Sequence, residues 1–115
     1  MEHEPKPEPR NREQLIEELA SLGHYETGEQ EENRASAELV VDAVLRAAER
    51  GIELDDGFVE LSAEMLHKEW VKRNESRATE ELKRVYDDLP EEEKEKDRVF
   101  VRRAIMLYEN LPGLE

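Results

Sequence analysis

The sequence contains no cysteine, and only six of its 115 residues are aromatic. The absence of cysteine excludes disulfides, thiolate chemistry and cysteine-ligated zinc. No stretch approaches the roughly 20 apolar residues of a membrane-spanning helix, and the N-terminus lacks the apolar run of a secretory signal. We therefore expect a cytoplasmic protein with no membrane partner. Its core should be aliphatic and rich in alanine, which favours helices over a sheet.

Acidic residues outnumber basic ones and give the chain a formal net charge of −14. Residues 1–34 hold ten acids and four bases, residues 35–65 eight and two, and residues 66–115 thirteen and eleven. Such an acidic surface is repelled by phosphate, so we expect no direct binding of nucleic acid. A basic protein surface is the partner that the acidic half would attract, although acidic residues also serve solubility.

The first half of the chain predicts a tail and two helices. Residues 1–10 alternate proline with charge and offer almost no apolar surface, which predicts a disordered tail. Asn11 and Gln14 form a capping-box pattern, and Gly23 marks the end of the helix that follows. The apolar residues of this first helix share one face: Leu15, Ile16, Leu19 and Leu22.

A second helix is predicted from near Asn33 to Arg50, with Gly51 at the stop position. Its alanines favour helix and allow close packing. In the loop that follows, Ile52 and Leu54 are expected to fold back over the core.

A third helix is predicted to follow Phe58, with Ser62 as its cap, and to end near Asn74. Phe58 and Leu61 lead into this helix, whose own apolar residues are Met65, Leu66, Trp70 and Val71. Thr79 then suggests a short helix that would run through Leu82 to Val85.

Pro90 and the three glutamates after it predict the start of a final helix, because proline suits a first turn and acids favour the positive end of the helix dipole. Its apolar stripe contains Val101, Ala104, Ile105 and Tyr108. The chain is therefore predicted to be all-α, with a tail over residues 1–10 and one small domain of about four helices on a single core over residues 11–112.

Enzyme signatures are missing from the sequence. It has no GxSxG elbow, P-loop, GxGxxG or HExxH motif. Glu64 and His67 have the Glu-x-x-His spacing of di-iron bundles, but no second copy exists. Asp55 to Gly57 resembles part of a calcium loop, yet Ile52 stands where the first carboxylate is needed. We expect no enzyme activity, no cofactor and no metal site.

A constellation of residues in the second half resembles the ryanodine-receptor (RyR) domain, a helical module. His67 and Trp70 lie on one helix, and they are followed by Tyr86, Leu89-Pro90 and the Lys-x-x-Asp-Arg pattern of residues 94–98. The resemblance covers about residues 63–110. Single copies of this domain occur in bacterial and phage proteins, and the resemblance implies a binding module that recognises a nucleotide-like small molecule or a protein partner.

Basic residues concentrate in the same stretch, and Trp70 or Tyr86 could stack on a base. The expected ligand-binding residues are His67, Trp70, Arg73, Tyr86, Arg98 and Arg102. The alternative is a small acidic protein-interaction or inhibitor module that contacts a basic partner surface. That surface would be formed by Glu29, Glu31, Glu32, Asp55, Asp56 and Glu60.

Overall fold

A computed structural model describes residues 11–22, 30–76, 79–80 and 83–109 of the protein. Within those residues four α-helices and no strand are present, and a short 3₁₀ turn at Tyr86–Asp88 precedes the last helix. The helices are α1 (Arg12–Leu22), α2 (Gln30–Glu49), α3 (Asp56–Arg73) and α4 (Glu91–Tyr108). The predicted all-α fold of four helices on one core is confirmed, while the predicted tail lies outside the described residues.

One aliphatic core joins the four helices. The most extensive contacts are those of α1 with α2 and of α3 with α4, and α4 also contacts α1 and α2. Of the predicted stripe on α4, Val101, Ala104 and Ile105 are buried and Tyr108 packs against the edge of the core. Each fully buried large aliphatic side chain contributes about 1.5–3 kcal/mol. The core is therefore the main source of stability.

The capping box predicted for α1 is present. The backbone N–H of Gln14 donates to Asn11 Oδ1 at 2.9 Å, and the backbone N–H of Asn11 donates to Gln14 Oε1 at 3.0 Å. Two N–H groups that have no partner inside the helix are thus satisfied. Gly23, the predicted end of this helix, lies outside the described residues.

The predicted start of α2 at Asn33 is wrong, because the helix begins at Gln30. Asn33 is buried within the helix and does not cap it. Glutamine and glutamate are good helix formers, and acids are favoured near a helix N-terminus, so residues 30–32 extend the helix.

The predicted end of α2 at Gly51 is confirmed. Gly51 has a φ of 71°, in the left-handed region. The N–H of Ile52 donates to the carbonyl of Ala47 at 2.9 Å and the N–H of Gly51 to that of Ala48 at 3.2 Å, which is a Schellman motif. Leu54 packs against the core as predicted, but Ile52 is 51% exposed, so its predicted burial is wrong.

The structure corrects the cap of α3. Asp55 caps the helix, since its Oδ1 accepts a hydrogen bond from the N–H of Phe58 at 3.0 Å, whereas Ser62 is buried within the helix. A carboxylate is favoured at this end because it also meets the positive end of the helix dipole. The predicted end at Asn74 is confirmed, with its N–H bonded to the carbonyl of Trp70 at 3.0 Å.

The short helix predicted between Thr79 and Val85 is not formed in the described residues. The N–H of Lys83 closes a single turn on the carbonyl of Thr79 at 3.0 Å. Val85 is extended and 68% exposed, so it provides no apolar anchor for a helix. Leu82, the other predicted anchor, lies outside the described residues.

We expect Gly51→Ala to lower the free energy of unfolding by about 1–2 kcal/mol, because an L-residue is strained in the left-handed region. No atom lies within 4 Å of an added Cβ, so the loss reports backbone strain alone. Gly51→Asn should lose less, since asparagine tolerates this conformation. Urea denaturation followed by circular dichroism checks both variants. Equal stability of Gly51→Ala and the unaltered chain would contradict the expectation.

Candidate functional site

A cleft of about 320 Å³ lies between the second half of α3 and residues 83–86, and we call it the basic cleft. Two of the predicted site residues, His67 and Tyr86, line it. Its other lining residues are the cations Lys68, Lys72, Lys83 and Arg84, the carboxylate Glu64, and the apolar Val71 and Val85. Cations and the side chain of Tyr86 thus meet in one place, although most of the predicted site residues lie elsewhere.

His67 connects the two walls of the basic cleft. Its Nε2–H donates to the backbone carbonyl of Arg84 at 3.0 Å, and because a carbonyl only accepts, Nε2 carries the proton. The ring is 7% exposed and lies 6.5 Å from the ring of Tyr86, centroid to centroid. His67 therefore positions residues 83–86 against α3.

Tyr86 forms part of the base of the cleft and is 5% exposed. Its hydroxyl donates to Glu60 Oε2 at 3.2 Å, and the Lys94 ammonium lies 5.6 Å from the centre of its ring. Burial, together with the negative charge of Glu60, raises the pKa of Tyr86 to about 12. With so little exposed surface, the ring serves the fold more than ligand stacking.

Arg98 does not line the basic cleft. Its Nε donates to Glu60 and its Nη1 donates to Glu91 Oε2 at 2.8 Å. The hydrogen bonds to Glu91 and Glu60 raise the pKa of Arg98. The guanidinium therefore joins α3 to α4 and lies along a separate cleft of about 620 Å³ on α4.

The other three predicted site residues also lie outside the lining of the basic cleft. Arg73 donates from Nη2 to Ser36 Oγ at 3.3 Å, which joins α3 to α2. Arg102 donates from Nη1 to a carboxylate oxygen of Glu95 at 3.1 Å. Trp70 is half-buried, one turn along α3 from His67. The structure thus brings only His67 and Tyr86 of the six predicted residues into the cleft.

Four lining cations, Lys68, Lys72, Lys83 and Arg84, were not predicted as site residues. Lys68 and Lys72 are four residues apart, so they share a face of α3. The spacing of Lys68 and Lys72 could have predicted from the sequence that they are neighbours. The positions of residues 83 and 84 could not be predicted in this way, because they depend on the turn before Tyr86.

Little of the positive charge in the basic cleft is neutralised. Lys72 lies 3.3 Å from Glu69, and Lys83 lies 3.9 Å from Glu80; both are exposed pairs of the kind that contribute little. In the described part of the chain, neither Lys68 nor Arg84 forms an ion pair within 4 Å. In a protein of net charge −14, this cleft is suited to an anion.

The described ranges, 11–22, 30–76, 79–80 and 83–109, contain no group of three or more histidine, aspartate or glutamate side chains that could hold a metal ion. Within the same residues, no helix combines the length and apolarity required to cross a membrane. Most of the charged groups that line the basic cleft are ammonium and guanidinium groups, which can form charge-assisted hydrogen bonds with anions.

We expect stability to fall at alkaline pH because of Tyr86. Its unfolded pKa is near 10 and its folded pKa about 12. Below pH 10 the phenol is neutral in both the folded and the unfolded chain, so its full contribution to the free energy of unfolding is present. Between pH 10 and about pH 12 the phenol ionises in the unfolded chain but stays neutral in the folded one, so stability falls over that range until the folded pKa is passed.

Urea denaturation at about pH 9 and about pH 11 checks this expectation. At the lower pH, Tyr86→Phe should lower the free energy of unfolding by about 1 kcal/mol, because the hydrogen bond to Glu60 is lost. Between the lower and the higher pH, the free energy of unfolding should fall less in this variant than in the unaltered chain. Tyr108→Phe, which removes a hydroxyl elsewhere, is the matched control. A pH dependence unchanged by Tyr86→Phe would show that another group is responsible.

Comparison of the chain with protein-family models, with curated proteins and with solved structures gave no significant match. The resemblance to the RyR domain over residues 63–110 stays a prediction. The geometry of the basic cleft is therefore the basis on which function is argued.

Proposed function

We propose that the protein is a non-catalytic, RyR-domain-like binding module, cytoplasmic and of bacterial or phage type, that recognises a nucleotide-type anionic small molecule. The observation that carries this proposal is the basic cleft, where Lys68, Lys72, Lys83 and Arg84 face only one lining carboxylate, Glu64. Phosphate oxygens form strong charge-assisted hydrogen bonds with such cations. Val71 and Val85 supply apolar surface for the remainder of the ligand.

The size of the cleft supports a small ligand. Its volume of about 320 Å³ lies at the lower end of the range usual for small-molecule sites. His67 and Tyr86, which belong to the residues that carry the RyR resemblance, also line it. The resemblance and the geometry therefore favour the same part of the molecule.

The acidic interaction module has less support, because the fold uses two of the acids it needs. Glu60 binds Arg98 and Tyr86, and the carboxylate of Asp55 caps α3. Glu29 lies outside the described residues, and the side chains of Glu31 and Glu32 are likewise not described. Binding of a basic protein surface is the function we would favour if no anion binds the cleft.

Titration of ADP, ATP and cyclic nucleotides at low salt should give a saturable change in the fluorescence of Trp70, the sole tryptophan, and a rise in melting temperature. Lys68→Ala and Arg84→Ala should each weaken binding about tenfold or more, because hydrogen bonds to charged groups contribute about 1.5–3 kcal/mol. Added salt should weaken binding further.

Arg102→Ala is the matched control, since this arginine pairs with Glu95 outside the basic cleft and should leave affinity unchanged. Circular dichroism of each variant verifies that the fold is retained. The absence of any saturable response, or equal affinity in all three variants, would refute the site. The search would then turn to basic protein partners.

A further inference from the structure

A second concave surface, the α2–α3 groove, lies between the C-terminal end of α2 and the first half of α3. Its volume is about 480 Å³, and it shares no lining residue with the basic cleft. Its large apolar lining residues are Ile52, Phe58, Leu61 and Met65. Leu61 is 70% exposed and Ile52 is about half exposed, so two of the four exposed large apolar side chains among the described residues meet here. Clustered apolar exposure of this kind marks an interaction surface.

The exposed residues of the α2–α3 groove do not serve the core. The buried face of α3 contains Val59, Ala63 and Leu66, and Leu61 lies off that face. Ile52 follows Gly51, whose backbone is in the left-handed region, and its side chain is exposed beyond the end of α2. Their apolar character is therefore not explained by the packing of the four helices.

Charges of both signs line the same groove. Arg46 lies on the last turn of α2, Arg50 follows directly after the helix, and Glu53 comes from the loop that follows. In the ranges that the structure describes, none of these three side chains forms an ion pair within 4 Å. Arg12 and, to a smaller extent, Arg46 lower the pKa of the Asp42 carboxyl. Two cations, Glu53 and the capping carboxylate of Asp55 thus surround an exposed apolar centre.

We propose that the α2–α3 groove is the interface of a symmetric homodimer. In a two-fold interface every contact occurs twice, so a surface that carries both signs of charge complements itself. Arg46 and Arg50 of one copy then meet Glu53 of the other, around Leu61. A strongly basic or strongly acidic partner would instead meet like charge in this groove. The net charge of −14 on each copy opposes association, so the dimer should form only at higher protein concentration.

Analytical ultracentrifugation of the full chain over a wide concentration range should show a monomer–dimer equilibrium. Leu61→Glu should raise the dissociation constant at least about tenfold, because it places a charge at the centre of the interface. Val85→Glu is the matched control, since Val85 is exposed to a similar degree but lies outside the groove. Both sites are exposed, so both variants should retain the helical circular dichroism of the unaltered chain.

Exchanging the charges of Arg50 and Glu53 tests whether these two residues pair across the proposed interface. Arg50→Glu and Glu53→Arg should each weaken the dimer, and the double variant should recover much of the lost affinity, because the opposite charges face each other again. A chain that is monomeric at every concentration overturns the proposal. So does a dimer that Leu61→Glu leaves intact, or one that Val85→Glu disrupts equally.

Discussion

The burial of Tyr86 is the constraint on which the candidate site depends. Its hydroxyl binds Glu60 of α3, and Lys94 of α4 lies over its ring, so one side chain joins three parts of the chain. Arg98 binds the same Glu60 carboxylate from α4. Because residues 83–85 immediately precede this junction, its position decides where Lys83 and Arg84 lie relative to the cations of α3. The bond from His67 to the carbonyl of Arg84 then fixes the distance between the two walls.

Arginine and lysine serve different purposes in this acidic molecule. Arg12, Arg98 and Arg102 each bind carboxylates within the fold, where the planar guanidinium can hold two oxygens at once. Lysines provide most of the charge of the basic cleft. The predicted site arginines are engaged within the fold because a chain with 31 acids places a carboxylate near most of them. The cations that line the basic cleft form only exposed ion pairs or none among the described residues, so they are the groups available to the proposed ligand.

Features that depend on a few neighbouring residues could be predicted from the sequence. The capping box of Asn11 and the stop at Gly51 are of this kind, since their hydrogen bonds close within a single turn. The cap of α3 was predicted wrongly because Ser62 and Asp55 are both good cap residues, and residue type alone does not say which of them begins the helix. The basic cleft could be predicted only in part. Helical spacing places Lys68 beside Lys72, but Arg84 reaches them through an irregular turn whose path the residue types do not specify.

The position of α4 in the bundle has a consequence for biosynthesis. This helix is the last of the four along the chain, and it contacts each of the other three. Phe100 and Val101 are almost completely buried, so the apolar surface of the earlier helices that α4 covers stays exposed until α4 leaves the ribosome, even where α1 already packs on α2. Domains fold as units, and exposed apolar surface promotes aggregation. Before α4 has left the ribosome, the many acids that precede it give the nascent chain a high negative charge. This charge opposes association of the nascent chain with other chains.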